Sequence, residues 1–94
     1  MLTYQSSYKT VDGVVLGSVL DFPGTIAYGE SLAEARSNLA SALRDMAETN
    51  LLKGESLPIP DPTVSDVDAE LEEPMHLILQ TGPHVSMSVG ATSE

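Results

Sequence analysis

The sequence predicts an α+β domain: a small antiparallel sheet crossed by one amphipathic helix, with a further strand after it. Three observations carry this. Asp12-Gly13 sits between two extended segments, and that pair is a hairpin signal because both residues tolerate positive φ. Ser31 and Glu34 form a capping-box pattern that opens an apolar stripe of helical period. A proline-rich acidic stretch then ends in the apolar run Met75–Gln80, which has the length and composition of a strand. Ninety-four residues without cysteine suit one domain, 1–94, with one core held by packing rather than by disulfides.

The elements follow in order. Residues 2–10 are polar but carry Tyr4, Tyr8, Thr3 and Thr10, a composition suited to a strand with one wet face. The second strand, Val14 to Leu20, is mostly apolar and interrupted by Gly17 and Ser18, which marks it as central and partly covered on both faces. Pro23 and Gly24 stop it, Pro by lacking an N–H and Gly by permitting a turn. Thr25–Tyr28 is a short edge strand with Ile26 and Tyr28 on one face and Thr25 and Ala27 on the other. The helix spans about 31–53. Leu32, Ala35, Leu39, Ala42, Leu43 and Met46 form its stripe, Gly54 stops it, and Arg36, Arg44, Asp45 and Glu48 are expected on a solvated face. In the capping box Ser31 accepts from the Glu34 amide, and the Glu34 carboxylate is expected to reach back to the Ser31 amide.

Residues 55–74 are a connector. Its run from Gly54 holds four prolines, seven carboxylates and no cation, and Pro58, Pro60 and Pro62 favour an extended, semi-rigid chain. Beyond Gln80, Gly82-Pro83 breaks the last strand, Val85–Val89 alternates as a short additional strand, and 90–94 reads as a loose tail.

Charge narrows the function. The chain carries four basic and fourteen acidic residues, for a net charge of −10. Residues 1–54 hold all four cations and six of the acids, whereas 55–94 hold eight acids and no Lys or Arg. Nucleic-acid affinity rests on Lys and Arg neutralising phosphates, so direct nucleic-acid binding is not expected. A basic protein is the natural complement, since opposite fields steer encounter. No aliphatic run exceeds the three residues of Val14-Val15-Leu16 and the N-terminus lacks a basic segment followed by an apolar one, which argues against secretory and membrane-spanning segments. The absence of cysteine fits a reducing cytoplasm.

No constellation for catalysis stands out, and an enzyme is not expected. His76 and His84 lack any ligand-type spacing. Asp66-Val67-Asp68 resembles the start of a calcium loop but lacks the glycine at the sixth position and the glutamate at the twelfth. Neither a glycine-rich phosphate loop nor a nucleophile elbow occurs, so no cofactor is implied. Asp21, at a strand end before a proline turn, most simply bonds local amides. Phe22, the only Phe, is either an exposed partner anchor or a core residue, and the sequence leaves both open.

The ordered set Asp21, Phe22, Pro23, Gly24, Gly29, Glu30, Ser31, Leu32, Glu34 and Ala35, followed by Gly54, Glu55, Pro58 and Pro60, resembles the N-terminal domain of the HicB antitoxin family over about residues 10–80. The resemblance implies a partial ribonuclease-H-like fold, β-β-β-α-β, with three antiparallel strands, a crossover helix and a fourth, parallel strand, without that superfamily's catalytic carboxylates. It also implies a partner: a small basic HicA-type toxin that cleaves messenger RNA and whose active site is occluded in the complex. On that reading Asp21, Phe22, Pro23 and Gly24 with Asp61, Asp66 and Asp68 of the connector are the partner-binding residues. Thr25 departs from the family's usual Cys, and Ala27 and Tyr28 are atypical. Many members append a DNA-binding module, but the fourteen residues after Gln80 include no Lys or Arg, so promoter binding is not expected. The alternative is an orphan homo-oligomer, dimer or tetramer, paired through the uncovered sheet face or the Val85–Val89 strand.

Overall fold

The computed structural model describes residues 1–80 and 86–91. Its elements are β1 (Leu2–Val11), β2 (Val14–Val19), β3 (Ile26–Gly29), α1 (Leu32–Leu52), β4 (Leu71–Gln80) and β5 (Ser86–Ala91). They form one sheet of order β3-β2-β1-β4-β5, in which every neighbouring pair is antiparallel. The expected parallel fourth strand is therefore wrong. β4 runs against β1, with Leu2 opposite Leu77 and Tyr8 opposite Leu71, and the chain continues into a full fifth strand, giving the order β-β-β-α-β-β.

The reason lies in the connector. α1 starts beside the β1–β2 hairpin end of the sheet and runs to the other end, where a direct entry would make β4 parallel to β1. Eighteen residues, 53–70, intervene instead. At about 3.3 Å per residue they can cover some 60 Å, well beyond the roughly 33 Å of a ten-residue strand. The chain returns to the hairpin end, where the Glu70 amide donates to the Tyr8 carbonyl at 2.8 Å, and only then enters β4.

β4 begins four residues before the expected Met75 and passes through Pro74. The sheet tolerates this proline because Gln5, its opposite number, turns away: Gln5 N–H donates to Asp21 at 2.8 Å and its carbonyl accepts from Leu20 at 2.8 Å. The missing donor of Pro74 therefore faces the β5 side, where pairing starts only at Met75. β5 takes in Gly90 and Ala91 of the expected tail, while Gly82-Pro83, His84 and 92–94 lie outside the described residues.

α1 covers one face. Ala35, Leu39, Leu43 and Ala47, spaced by four, are fully buried against Tyr4, Tyr8, Val19, Phe22, Met75 and Leu77. At the N-cap, Ser31 Oγ accepts from the Glu34 amide at 3.1 Å, but the Glu34 carboxylate reaches Glu30 N–H at 3.1 Å, one residue earlier than expected. The C-terminus closes as a Schellman motif, with Gly54 N–H on Leu51 C=O and Glu55 N–H on Asn50 C=O. Arg36 is not solvated as expected. It reaches over the sheet to a 7 % exposed Glu73 on the inner face of β4, Nε to Oε1 at 2.6 Å and Nη2 to Oε2 at 3.1 Å, with its guanidinium 6.0 Å above the Tyr8 ring. That bidentate bond holds the Arg36 pKa above its ordinary value, and burial raises that of Tyr8.

Gly29 fixes where the helix begins. A Cβ there would lie 2.3 Å from the Ala35 nitrogen and 2.8 Å from its Cα, backbone atoms that cannot swing aside. Gly29→Ala is expected to lower stability by about 1–3 kcal/mol through overpacking. Urea unfolding checks this: the midpoint falls while the m-value holds.

Candidate protein-binding surface

The Asp21–Gly24 segment divides between core and surface. Phe22-Pro23-Gly24-Thr25 forms a type II turn: Thr25 N–H returns to Phe22 C=O at 3.3 Å, proline is second, and Gly24 is third with φ +85°. Phe22 is 1 % exposed and packs edge-on against Tyr4, with ring centroids 5.3 Å apart. It belongs to the core and is not available as a surface anchor, while Pro23 and Gly24 are exposed.

Asp21 is buried as well, and its partners are remote rather than local. One carboxylate oxygen accepts from Gln5 N–H of β1 at 2.8 Å, the other from Asp61 N–H of the connector at 2.9 Å. Nearby, Tyr4 Oη donates to the Pro58 carbonyl at 2.7 Å, and burial together with the Asp21 charge raises the Tyr4 pKa. These contacts carry the chain from the helix side of the sheet, where Leu57 packs on the core, to the opposite face.

From Asp61 the connector runs as a strap toward β4. Asp61 accepts from Thr63 N–H at 3.0 Å and Thr63 Oγ1 at 2.6 Å, bonds that hold its carboxyl below the usual Asp value. Asp66 pairs with Lys9 Nζ at 3.6 Å and accepts from Asp68 N–H at 3.0 Å, while Glu72 accepts from Ser65 Oγ at 3.0 Å. Lys9 and Glu72 alternate with the inward-facing Tyr8 and Glu73, so the strap lies on the outer face of the sheet. Of the residues expected to bind a partner, Asp21 meets Asp61, and Asp66 meets Asp68; the two pairs are anchored on opposite stretches of β1, at Gln5 and at Lys9.

The outer face also carries residues that the expected partner set omitted. Ile26 and Tyr28 are 55 % and 53 % exposed on β3, and Leu16 of β2 lies between Tyr28 and Lys9 in one cross-strand row. The alternation of Ile26 and Tyr28 was visible in the sequence; their position beside the strap depends on strand order. On the helix side, a cleft of about 130 Å³ lined by Tyr8, Val15, Leu32 and Leu71 falls well short of the 300 Å³ or more of ordinary small-molecule pockets. Among the described residues no helix is long and apolar enough to cross a membrane.

Asp21→Ala would strand two amides and is expected to destabilise the domain by about 1–3 kcal/mol, with hydrogen exchange at Asp61 N–H rising more than in the core of α1. An NMR pH titration should place the Asp61 carboxyl below the ordinary 3.8, with Thr63→Val moving it back toward that value. Since the folded pKa is the lower one, the contribution of Asp61 is present above 3.8 and fades as pH falls through the folded value.

Comparison of the chain with protein-family models, with curated proteins and with solved structures finds no match.

Proposed function

We propose that this chain is an antitoxin-like binding protein that holds a small basic protein, of the HicA-type mRNA-cleaving kind its sequence pattern suggests, and silences it by covering its active site. The carrying observation is how charge is displayed. Lys9 and Arg36, half of the four cations, are each tied to a carboxylate of this chain. Asp61, Asp68 and Glu70 stand exposed along the strap, in a stretch without a single Lys or Arg. Such a field attracts a cationic protein and repels RNA, so inhibition would act on the nuclease rather than on its substrate. No reaction by this chain is part of the proposal, and the cytoplasm, where messenger RNA is cleaved, is the compartment it requires.

One observation favours a second reading, a homo-oligomeric module without a toxin. β3 is a sheet edge with two exposed apolar side chains and no charge along it. The two readings part on mixing the purified chain with a HicA-type ribonuclease and a labelled RNA. Inhibition at stoichiometric ratio, with the complex weakening at least tenfold between about 50 and 500 mM salt, is expected for the antitoxin. Undiminished cleavage together with a concentration-dependent rise in mass by light scattering would replace it with the oligomer.

A further inference from the structure

Ile26 and Tyr28 offer an edge as well as a face, and the two make different demands on a partner. Val19 N–H donates to Thr25 C=O at 2.9 Å, which sets the hydrogen-bonded rungs of the β2–β3 ladder at odd positions of β3. Ile26 and Tyr28 are in the intervening rungs, so their backbone groups point off the sheet. One of these groups is already taken: Asn38 Nδ2, from α1, donates to the Tyr28 carbonyl at 2.8 Å. An added strand would have to displace that bond on an edge only four residues long. The edge is therefore guarded against extension, while the side chains of Ile26 and Tyr28 stay open on the outer face.

The border of this apolar patch is acidic. Its row continues from Tyr28 through Leu16 to Lys9, and Lys9 is neutralised by Asp66. Beyond it the strap turns at Asp66-Val67-Asp68, with Val67 96 % exposed between the two carboxylates. With Asp66 balanced by Lys9, the excess negative charge of this border lies on the exposed Asp68 and Glu70, and an apolar centre beside it matches a partner with an apolar anchor flanked by Lys or Arg. It suits a second copy poorly, because two chains that each carry a net charge of −10 repel one another.

We infer that the outer face between β3 and the strap, centred on Leu16, Ile26 and Tyr28 and bordered by Asp66 and Asp68, is where a cationic protein partner docks, an assignment that rests on the function proposed above. The partner packs on the face and does not extend the sheet. Asp21 and Phe22, buried against Gln5, Asp61 and Tyr4, make no contact with it.

Site-specific photo-crosslinking in the native host tests this. Benzoylphenylalanine is placed at Tyr28 or, on the solvent side of α1, at Arg44, and adducts are identified by mass spectrometry. The expected result is a Lys/Arg-rich protein joined to position 28 and not to position 44. The same protein, once purified, should bind the full chain at least tenfold more weakly when the chain carries Ile26→Asp, with the thermal midpoint of that exposed variant unchanged. A basic protein joined only to position 44 would overturn the surface and leave the antitoxin reading standing. A second copy of the chain, or an acidic protein, joined to position 28 would overturn the partner's chemistry. Absence of a basic adduct from both positions would remove the surface and the reading together.

Discussion

The path of the chain after the helix turns on one carboxylate. Asp21 accepts from β1 and from the connector at once, and so ties the first strand, the turn after the second and the start of the strap at a single point. Because the chain crosses there from the helix face to the outer face, the strap runs back along the sheet and β4 enters against β1. Strand direction, the acidic outer surface and the place of Glu73 in the interior all follow from that crossing. A carboxylate that reads as a turn residue is thus a long-range clamp, one whose two acceptor atoms are both used.

The interior has a second organising contact. Glu73 meets Arg36 through its carboxylate, while its backbone carbonyl accepts from Ser6 Oγ at 2.7 Å, so a charged pair, a hydroxyl and the Tyr8 ring share one polar island among apolar side chains. Burying an ion pair contributes little net stability, because desolvation offsets most of the attraction. Its value here lies in register. Sliding β4 by one residue would turn Glu73, Met75 and Leu77 to the outer face and bring Glu72, Pro74 and His76 against the core. The Tyr8 hydroxyl is buried in the same island beside Ser6 and Arg36, with neither in good hydrogen-bond geometry.

What could be read from the sequence was local. The Asp12-Gly13 turn, with φ of 52° and 83°, the Ser31 cap and the Leu39–Leu43 stripe each follow from a few adjacent residues, and the edge position of β3 follows from its shortness and from Pro23-Gly24. What could not be read depended on where distant segments meet. Arg36 departs from the solvated face only because β4 presents Glu73 to it. Phe22 is interior because Tyr4, eighteen residues earlier, offers it a ring. The direction of β4 departs from the parallel one that the resemblance implied, and the proline spacing could not correct it, because it reports stiffness and not the endpoint of an eighteen-residue path. For the candidate surface, composition indicated the acidity of the strap, whereas its placement beside Leu16, Ile26 and Tyr28 needed the strand order.

The central position of β1 has a consequence for how the chain is made. β1 leaves the ribosome before the other strands of its sheet, and β2, β3 and α1 can assemble on one side of it, but its other neighbour, β4, begins sixty residues after β1 ends. At about 5–20 residues per second that delay is roughly 3–12 s. For that interval the nascent sheet carries, at what will become its middle, an open row of backbone donors and acceptors from Leu2 to Tyr8. The serines and the glutamine in this strand, Gln5, Ser6 and Ser7, make that temporary edge less adhesive than a Val- or Ile-rich one would be.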